Sequence, residues 1–246
     1  GNMVGRIHGY MIALGLDGYG EDFAETLVER FGPESTIKDP PRLVRGMGDL
    51  YDLTVEDFEK VGMKGKMARE FPDLLKERTR VTSDVTILGA IGILGVGPAR
   101  ARQILKEYGG WDEFIYGLST ATMDMHLIRA LGEAIGTKVF QALRCDDGSE
   151  SIIEDLKKVT KFMDNFTTNF DEKKLRIGHT GGILDAAAVD VCNRNDFEIV
   201  DGKNFDVLIT SDLESNSTKM KRAREKGLPI YTQDMFVALY ANKEAS

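Results

Sequence analysis

The chain has 246 residues, of which 42% are hydrophobic, enough for packed cores and two domains of ordinary size, so wholesale disorder is excluded. Cys145 and Cys192 are the only cysteines, which excludes a disulfide framework and a four-cysteine zinc site and suits a reducing cytoplasm. The formal net charge of −8 tells against a uniformly basic surface, and with no apolar run near the roughly 18 residues that span a bilayer and no secretory signal, a cytoplasmic protein without membrane contact is expected.

Gly1-Asn2 before Met3 reads as a cloning remnant, with Met3 either the natural start of a separate subunit or a boundary inside a longer protein. Ile7 to Leu14 has helical spacing and leads into Leu16-Asp17-Gly18-Tyr19-Gly20, after which Phe23 to Leu27 and Phe31-Gly32 resume a helical pattern. Pro33 to Pro41 breaks the periodicity and predicts a loop. In the stretch Asp49 to Phe58, Thr54 is placed as an N-cap, with Asp57 three residues on and Leu53 as a staple residue. Val61-Gly62-Met63-Lys64-Gly65-Lys66 then precedes Met67, Ala68 and Phe71, and Pro72 predicts that this next helix is short or kinked. Arg78 to Ser83 is polar and basic, and Val85 to Ile93 is apolar with small residues.

The clearest figure lies between Ile91 and Gly109. An apolar run ends at Gly95-Val96-Gly97, and a helix starts with Pro98, a residue favoured in a first turn because its missing N–H is not needed there. Ala99, Ala101, Ile104 and Leu105 continue with helical spacing, and Gly109 is a stop. Trp111 to Leu118 is a short amphipathic piece. Met123 to Leu131 leads into a worn copy, Leu131-Gly132-Glu133-Ala134-Ile135-Gly136, followed by Val139, Phe140 and Leu143.

Beyond Asp146 the character changes. Asp146 to Glu150 is a turn-rich joint, Ile152 to Phe166 is helical by period, and Thr167 to Lys174 is polar. Leu175 to Gly182 alternates like a strand and ends in glycines. Leu184 to Asn193 reads as a helix, Phe197 to Val200 and Val207 to Thr210 as strands, Thr218 to Lys226 as a basic helix, Pro229 to Tyr231 as a strand and Gln233 to Tyr240 as a final helix. Strands alternating with helices predict a small α/β domain with a parallel sheet. The expected organisation is a helical domain at 3–145, a linker with a helix at 146–174 and the α/β domain at 175–246.

Helix, glycine turn and helix recur at Gly18-Tyr19-Gly20, Gly62-Met63-Lys64-Gly65-Lys66 and Gly95-Val96-Gly97, with the worn fourth copy at Gly132. Repetition marks a helix-hairpin-helix array, against the plain alternative that the glycines only shape turns of a scaffold. The turn amides and the positive end of the following helix form an anion site, so a polyanion with regularly spaced phosphates is the expected ligand. Lys64, Lys66, Arg100 and Arg102 stand beside these turns as candidate phosphate contacts, with a solvated face as the alternative. From Lys60 to Lys106 there are ten Lys or Arg against four acids, while acids concentrate from Asp17 to Glu29 and after Asp146. Such a local stripe predicts modest, salt-dependent affinity. His8, His126 and His179 lack metal-ligand spacing, Cys192 reads as a core thiol, and Trp111 and Tyr108 as core aromatics.

The last domain resembles a BRCT domain. Thr180-Gly181-Gly182, Asp206 to Ile209, Ser217 to Ala223, Gly227 to Ile230 and Met235 to Leu239 carry the likeness; the tryptophan usual in the last helix is absent, and Asn195-Asp196 replaces a usual glycine. A hairpin array followed by such a domain is similar to the C-terminal half of the NAD-dependent DNA ligases. Asp49 to Phe58 and Ile87 to Ile93 also resemble that family. The resemblance implies sequence-indifferent duplex binding that positions nicked DNA for sealing in replication and repair. It implies a DNA-binding set of Gly18, Tyr19, Gly20, Gly62, Met63, Lys64, Gly65, Lys66, Gly95, Val96, Gly97, Arg100 and Arg102, and a BRCT phosphate site at Thr180, Gly181 and Lys219. No Lys-x-Asp-Gly motif occurs, since Val200-Asp201-Gly202 lacks the lysine. No catalytic or metal-binding residue is therefore expected here, and the chain alone is expected to be inactive. No cofactor is expected on this chain; NAD and Mg are expected on an adenylation module, either a separate subunit or a missing N-terminal half. The alternative is a non-enzymatic repair or replication adaptor that recruits DNA or protein.

Overall fold

The structure, a computed structural model, describes residues 2–118, 120–144, 152–171, 174–195 and 197–241. The joint at Asp146 to Glu150, Cys145 and Asp196 lie outside the described residues. The chain divides into two compact units, Gly1–Phe170 and Asp171–Ser246. The first is a helical array and the second a small α/β unit with a parallel sheet.

The first unit begins with α1 (Met3–Ala13) and α2 (Glu21–Phe31). A 3-10 turn (Met47–Asp52) leads to α3 (Val55–Lys60) and α4 (Lys66–Val81). Thr54 and Asp57 form the expected reciprocal cap: each side chain accepts the other's backbone N–H. The two helix pairs share an aromatic core in which the Phe58 ring meets Phe31 at 5.6 Å and Phe71 at 6.0 Å, both edge to face. Helix α4 runs 16 residues straight through Pro72, so it is not short. Burial of Ala68, Phe71 and Leu75 on one face holds the turns on both sides of the proline.

Next come α5 (Asp84–Ala90), α6 (Pro98–Tyr108), α7 (Trp111–Gly117), α8 (Met123–Leu131) and α9 (Glu133–Leu143). Pro98 opens α6 and Gly109 closes it in the left-handed conformation at φ 88°, as the sequence predicts. The worn fourth copy differs. Gly132 alone makes the turn between α8 and α9, and Gly136 lies inside α9. A Cβ on Gly136 would stand 2.7 Å from the Ile128 backbone, so this glycine serves close helix packing.

The segment expected as a linker carries α10 (Ile152–Thr160), which ends earlier than Phe166. It packs into the first unit. Its Asp155 accepts the Gly48 N–H at 2.9 Å, and Lys158 Nζ donates to Asp49 at 2.9 Å and Asp52 at 2.6 Å. Trp111 Nε1 donates to Thr160 Oγ1 at 3.0 Å. The chain then returns to α5, where the Thr167 hydroxyl donates to the buried Asp84 carboxylate at 2.7 Å.

Among the described residues of the second unit the strands are β1 (Arg176–Thr180), β2 (Glu198–Val200), β3 (Val207–Thr210) and β4 (Ile230–Tyr231), in the order β2-β1-β3-β4, all parallel. α11 (Ala186–Arg194) and α13 (Gln233–Ala241) supply Val189, Cys192 and Phe236 to a core with Ile177, Val207 and Ile209. α12 (Thr218–Lys226) covers the other face, where Met220 and Ala223 meet Phe205 and Leu208. β3 is buried along its whole length, as a central parallel strand must be.

Candidate nucleic-acid interface

The three glycine turns share the conformation of their first glycine. Gly18, Gly62 and Gly95 have φ of 83°, 83° and 82°, a region that L side chains rarely adopt. At the second turn, the Met63 N–H bonds back to the Phe58 carbonyl at 2.8 Å and the Gly62 N–H to Glu59 at 3.1 Å, which closes α3 and reverses the chain.

The second glycine of each turn is a different case. Gly20, Gly65 and Gly97 are the N-caps of α2, α4 and α6, with φ of −84°, −70° and −99°. Any residue adopts those angles, and nothing stands within 4 Å of where a Cβ would be at any of the three. No side chain caps these helices. The fold therefore leaves glycine unexplained at these positions. What glycine does provide is access: first-turn amides with no intrahelical partner face outward without a side chain over them.

Charge then separates the turns. α2 starts with Glu21 and Asp22, and α9 with Glu133, which oppose an anion. α4 and α6 have no acid in their first turns. Around the start of α4, Lys64, Lys66 and Arg69 are exposed; Lys66 Nζ is 3.9 Å from Glu70. At α6, Arg100 donates to the Gly95 carbonyl at 2.6 Å and stiffens the turn that it charges. The second and third turns are thus the electrostatically competent ones, and Arg69 joins them although the sequence reading passed over it. Its signal was its place in the first turns after Gly65.

Other candidate residues point inward. Tyr19 is 6% exposed and its hydroxyl donates to the Met67 carbonyl at 2.8 Å. Val96 is buried and Met63 half-buried, so the middle residue of each turn anchors it to the core. Arg102 is half-buried, and its charge acts on Asp84. Burial raises the Asp84 carboxyl above its ordinary range, while the bonds from Thr167 and Val85 and the Arg102 charge pull it back.

In the second unit, Thr180, Gly181 and Lys219 come together where β1 ends and α12 begins. Thr180 Oγ1 donates to Ser217 Oγ at 3.4 Å, and Lys219 Nζ to the His179 carbonyl at 3.1 Å. Gly181 has φ 83°, and a Cβ there would run into the Ser211 hydroxyl. Cys192 is a core thiol, pushed up to about 12 by burial. Among the described residues, no three His, Cys, Asp or Glu gather as metal ligands, and no helix is long and apolar enough to cross a membrane.

The chain is similar to curated DNA ligases. It is 27% identical to the DNA ligase of Lachnoclostridium phytofermentans over 89% of this chain and 34% of that one. It is 25% identical to the DNA ligase of Flavobacterium johnsoniae over 96% of this chain and 35% of that one. A DNA ligase of Natronomonas pharaonis is 27% identical over 59% of this chain and 19% of that one. The chain thus spans about a third of the length of the first two relatives. No protein-family profile and no solved structure matches it.

Proposed function

We propose that this chain is the duplex-binding part of an NAD-dependent DNA ligase, holding nicked DNA for sealing by an adenylation module that lies outside these 246 residues. The second and third glycine turns grip phosphates through the amides at the starts of α4 and α6. Lys64, Lys66, Arg69 and Arg100 add charge. Contacts of this kind read backbone shape and position, not sequence. The helical array then acts as a helix-hairpin-helix platform, and the α/β unit as a BRCT domain.

The observation that carries this reading is the pair Gly65 and Gly97. Neither backbone angle nor packing asks for glycine there, and both sit at uncapped, acid-free helix starts. A phosphate close to the backbone does ask for it. The similarity to DNA ligases supports the same ligand.

NAD and magnesium belong, on this reading, to the adenylation module, because no Lys-x-Asp-Gly motif occurs and Val200-Asp201-Gly202 has no lysine ahead of it. Nucleotidyl transfer is therefore assigned to the adenylation module, either a partner subunit or another part of the same protein. Nick sealing with NAD, with and without a candidate adenylation protein, tests this: sealing should require both proteins and should fall when the Gly97 turn is blocked.

A second reading, a repair or replication adaptor, draws on Thr180, Gly181 and Lys219, which converge on the start of α12. A phosphopeptide pull-down that depends on Lys219, with no duplex binding by the array, would favour it.

A further inference from the structure

The third turn holds one residue that neither its fold nor its phosphate contacts explain. Leu94 is 79% exposed, while Ile93 before it and Val96 after it are 3% and 5% exposed. The alternation is locked. Gly92 and Gly95 on either side have φ of 105° and 82°, the Val96 N–H bonds to the Ile93 carbonyl at 3.0 Å, and Arg100 holds the Gly95 carbonyl. No local rotation of the turn can hide the side chain without breaking these bonds. At the matching position the first turn has Asp17, which suits water, and the second has buried Val61. The third turn presents a large apolar side chain outward at this position, far more exposed than Met67 (38%) in the first turn of α4, and it does so beside the uncapped start of α6.

We propose that Leu94 is a minor-groove wedge that makes this turn prefer nicked over continuous duplex. The proposal rests on the duplex reading above. A turn that holds a phosphate at Gly97 brings Leu94 to the sugars and base edges of the same strand. Apolar side chains act there by prising at a base step and bending the duplex. The deformation costs less where the step is more flexible, and a step with one broken backbone is the most easily opened. The backbone that carries Leu94 is held before binding, so little backbone ordering accompanies its insertion.

The test uses the full chain, its Leu94→Ala, Leu94→Met and Gly97→Ala variants, and one duplex sequence made nicked or continuous, with 2-aminopurine beside the nick position. The parent should prefer the nicked duplex and raise the 2-aminopurine fluorescence. Leu94→Ala should lose roughly ten-fold in affinity for the nicked duplex, with little change on the continuous one. It should abolish the fluorescence rise and leave the salt slope unchanged, since no phosphate contact is removed. Leu94→Met should retain both the preference and the signal. Leu94→Ala that keeps the parent's preference and signal overturns the wedge, as does an equal loss on both duplexes. Gly97→Ala separates the two claims. If it weakens both duplexes while Leu94→Ala does not, phosphate holding stands and the wedge falls. If the parent binds neither duplex, both fall.

Discussion

The Tyr19 hydroxyl of the first glycine turn donates to the Met67 carbonyl in the first turn of α4 at 2.8 Å. The first turn therefore braces the second. Its own helix begins with Glu21 and Asp22 and repels anions, yet its tyrosine steadies the amides of Lys66, Met67 and Ala68. Tyr19→Phe should cost about 1 kcal/mol of stability, the ordinary net worth of one such bond. It should weaken duplex binding only a few-fold, because no charge is lost. Urea unfolding and a binding isotherm check both; a variant that loses all binding while folded would make Tyr19 a direct contact.

Asp155 joins α10 to the 3-10 turn through Gly48, and this joint is pH-dependent. Burial, with Asp49 nearby, pushes the Asp155 carboxyl up from 3.8 to about 6, against the Gly48 N–H, Arg6 and Lys158. A carboxyl whose folded value is raised favours the folded state as it gains its proton. Its cost to stability is present at neutral pH and disappears as the pH falls through about 6 toward 4. Asp155→Asn keeps the shape and an acceptor but removes the charge. Its stability relative to the parent should be greater at pH 8 than at pH 4, by up to about 3 kcal/mol. Urea midpoints at the two pH values measure this, and a pH-independent difference would contradict it.

Gly48→Ala should be among the more damaging single changes in the first unit. An added Cβ would lie 2.6 Å from an Asp155 carboxylate oxygen and 2.8 Å from its Cα. Either α10 moves away or the carboxylate loses its amide. A fall in melting temperature of several degrees is expected, roughly 2 kcal/mol or more. An unchanged melting temperature would mean that α10 is not held where the structure places it.

Local signals carried much of this fold. The Thr54 cap, the proline at the start of α6 and the left-handed Gly109 are each decided within a few residues, and each is where the pattern predicts it. Tertiary demands were illegible. Gly136 resembles a turn glycine in sequence but is needed for close contact with the backbone of Ile128 on the preceding helix. Pro72 reads as a breaker, yet burial around it carries α4 onward. The helix at Ile152 lacks any sequence mark that its Asp155 belongs to Gly48, more than a hundred residues earlier. At the site, the first glycine of each turn was legible as a conformational need. The freedom at Gly97, with φ −99° and open space beside it, emerges only from the structure.

Duplex binding should depend steeply on salt and little on sequence. If about three to five phosphates are neutralised, log K should fall against log salt with a slope near −3 to −4.5. Arg100→Ala should cost roughly 1 kcal/mol and flatten that slope by about one. Fluorescence anisotropy between low and physiological salt reads both. Strong discrimination between duplex sequences, or no salt dependence, would contradict backbone holding.

The most direct measurement is the affinity of Gly97→Ala for a nicked duplex. The change adds one methyl group at an extended backbone angle, pointing into open space, so circular dichroism and the melting temperature should match the parent. If a phosphate sits against this backbone, that methyl occupies its place, and affinity should drop ten-fold or more, about 1.4 kcal/mol at the least. A folded Gly97→Ala protein that binds nicked DNA as tightly as the parent would contradict the account.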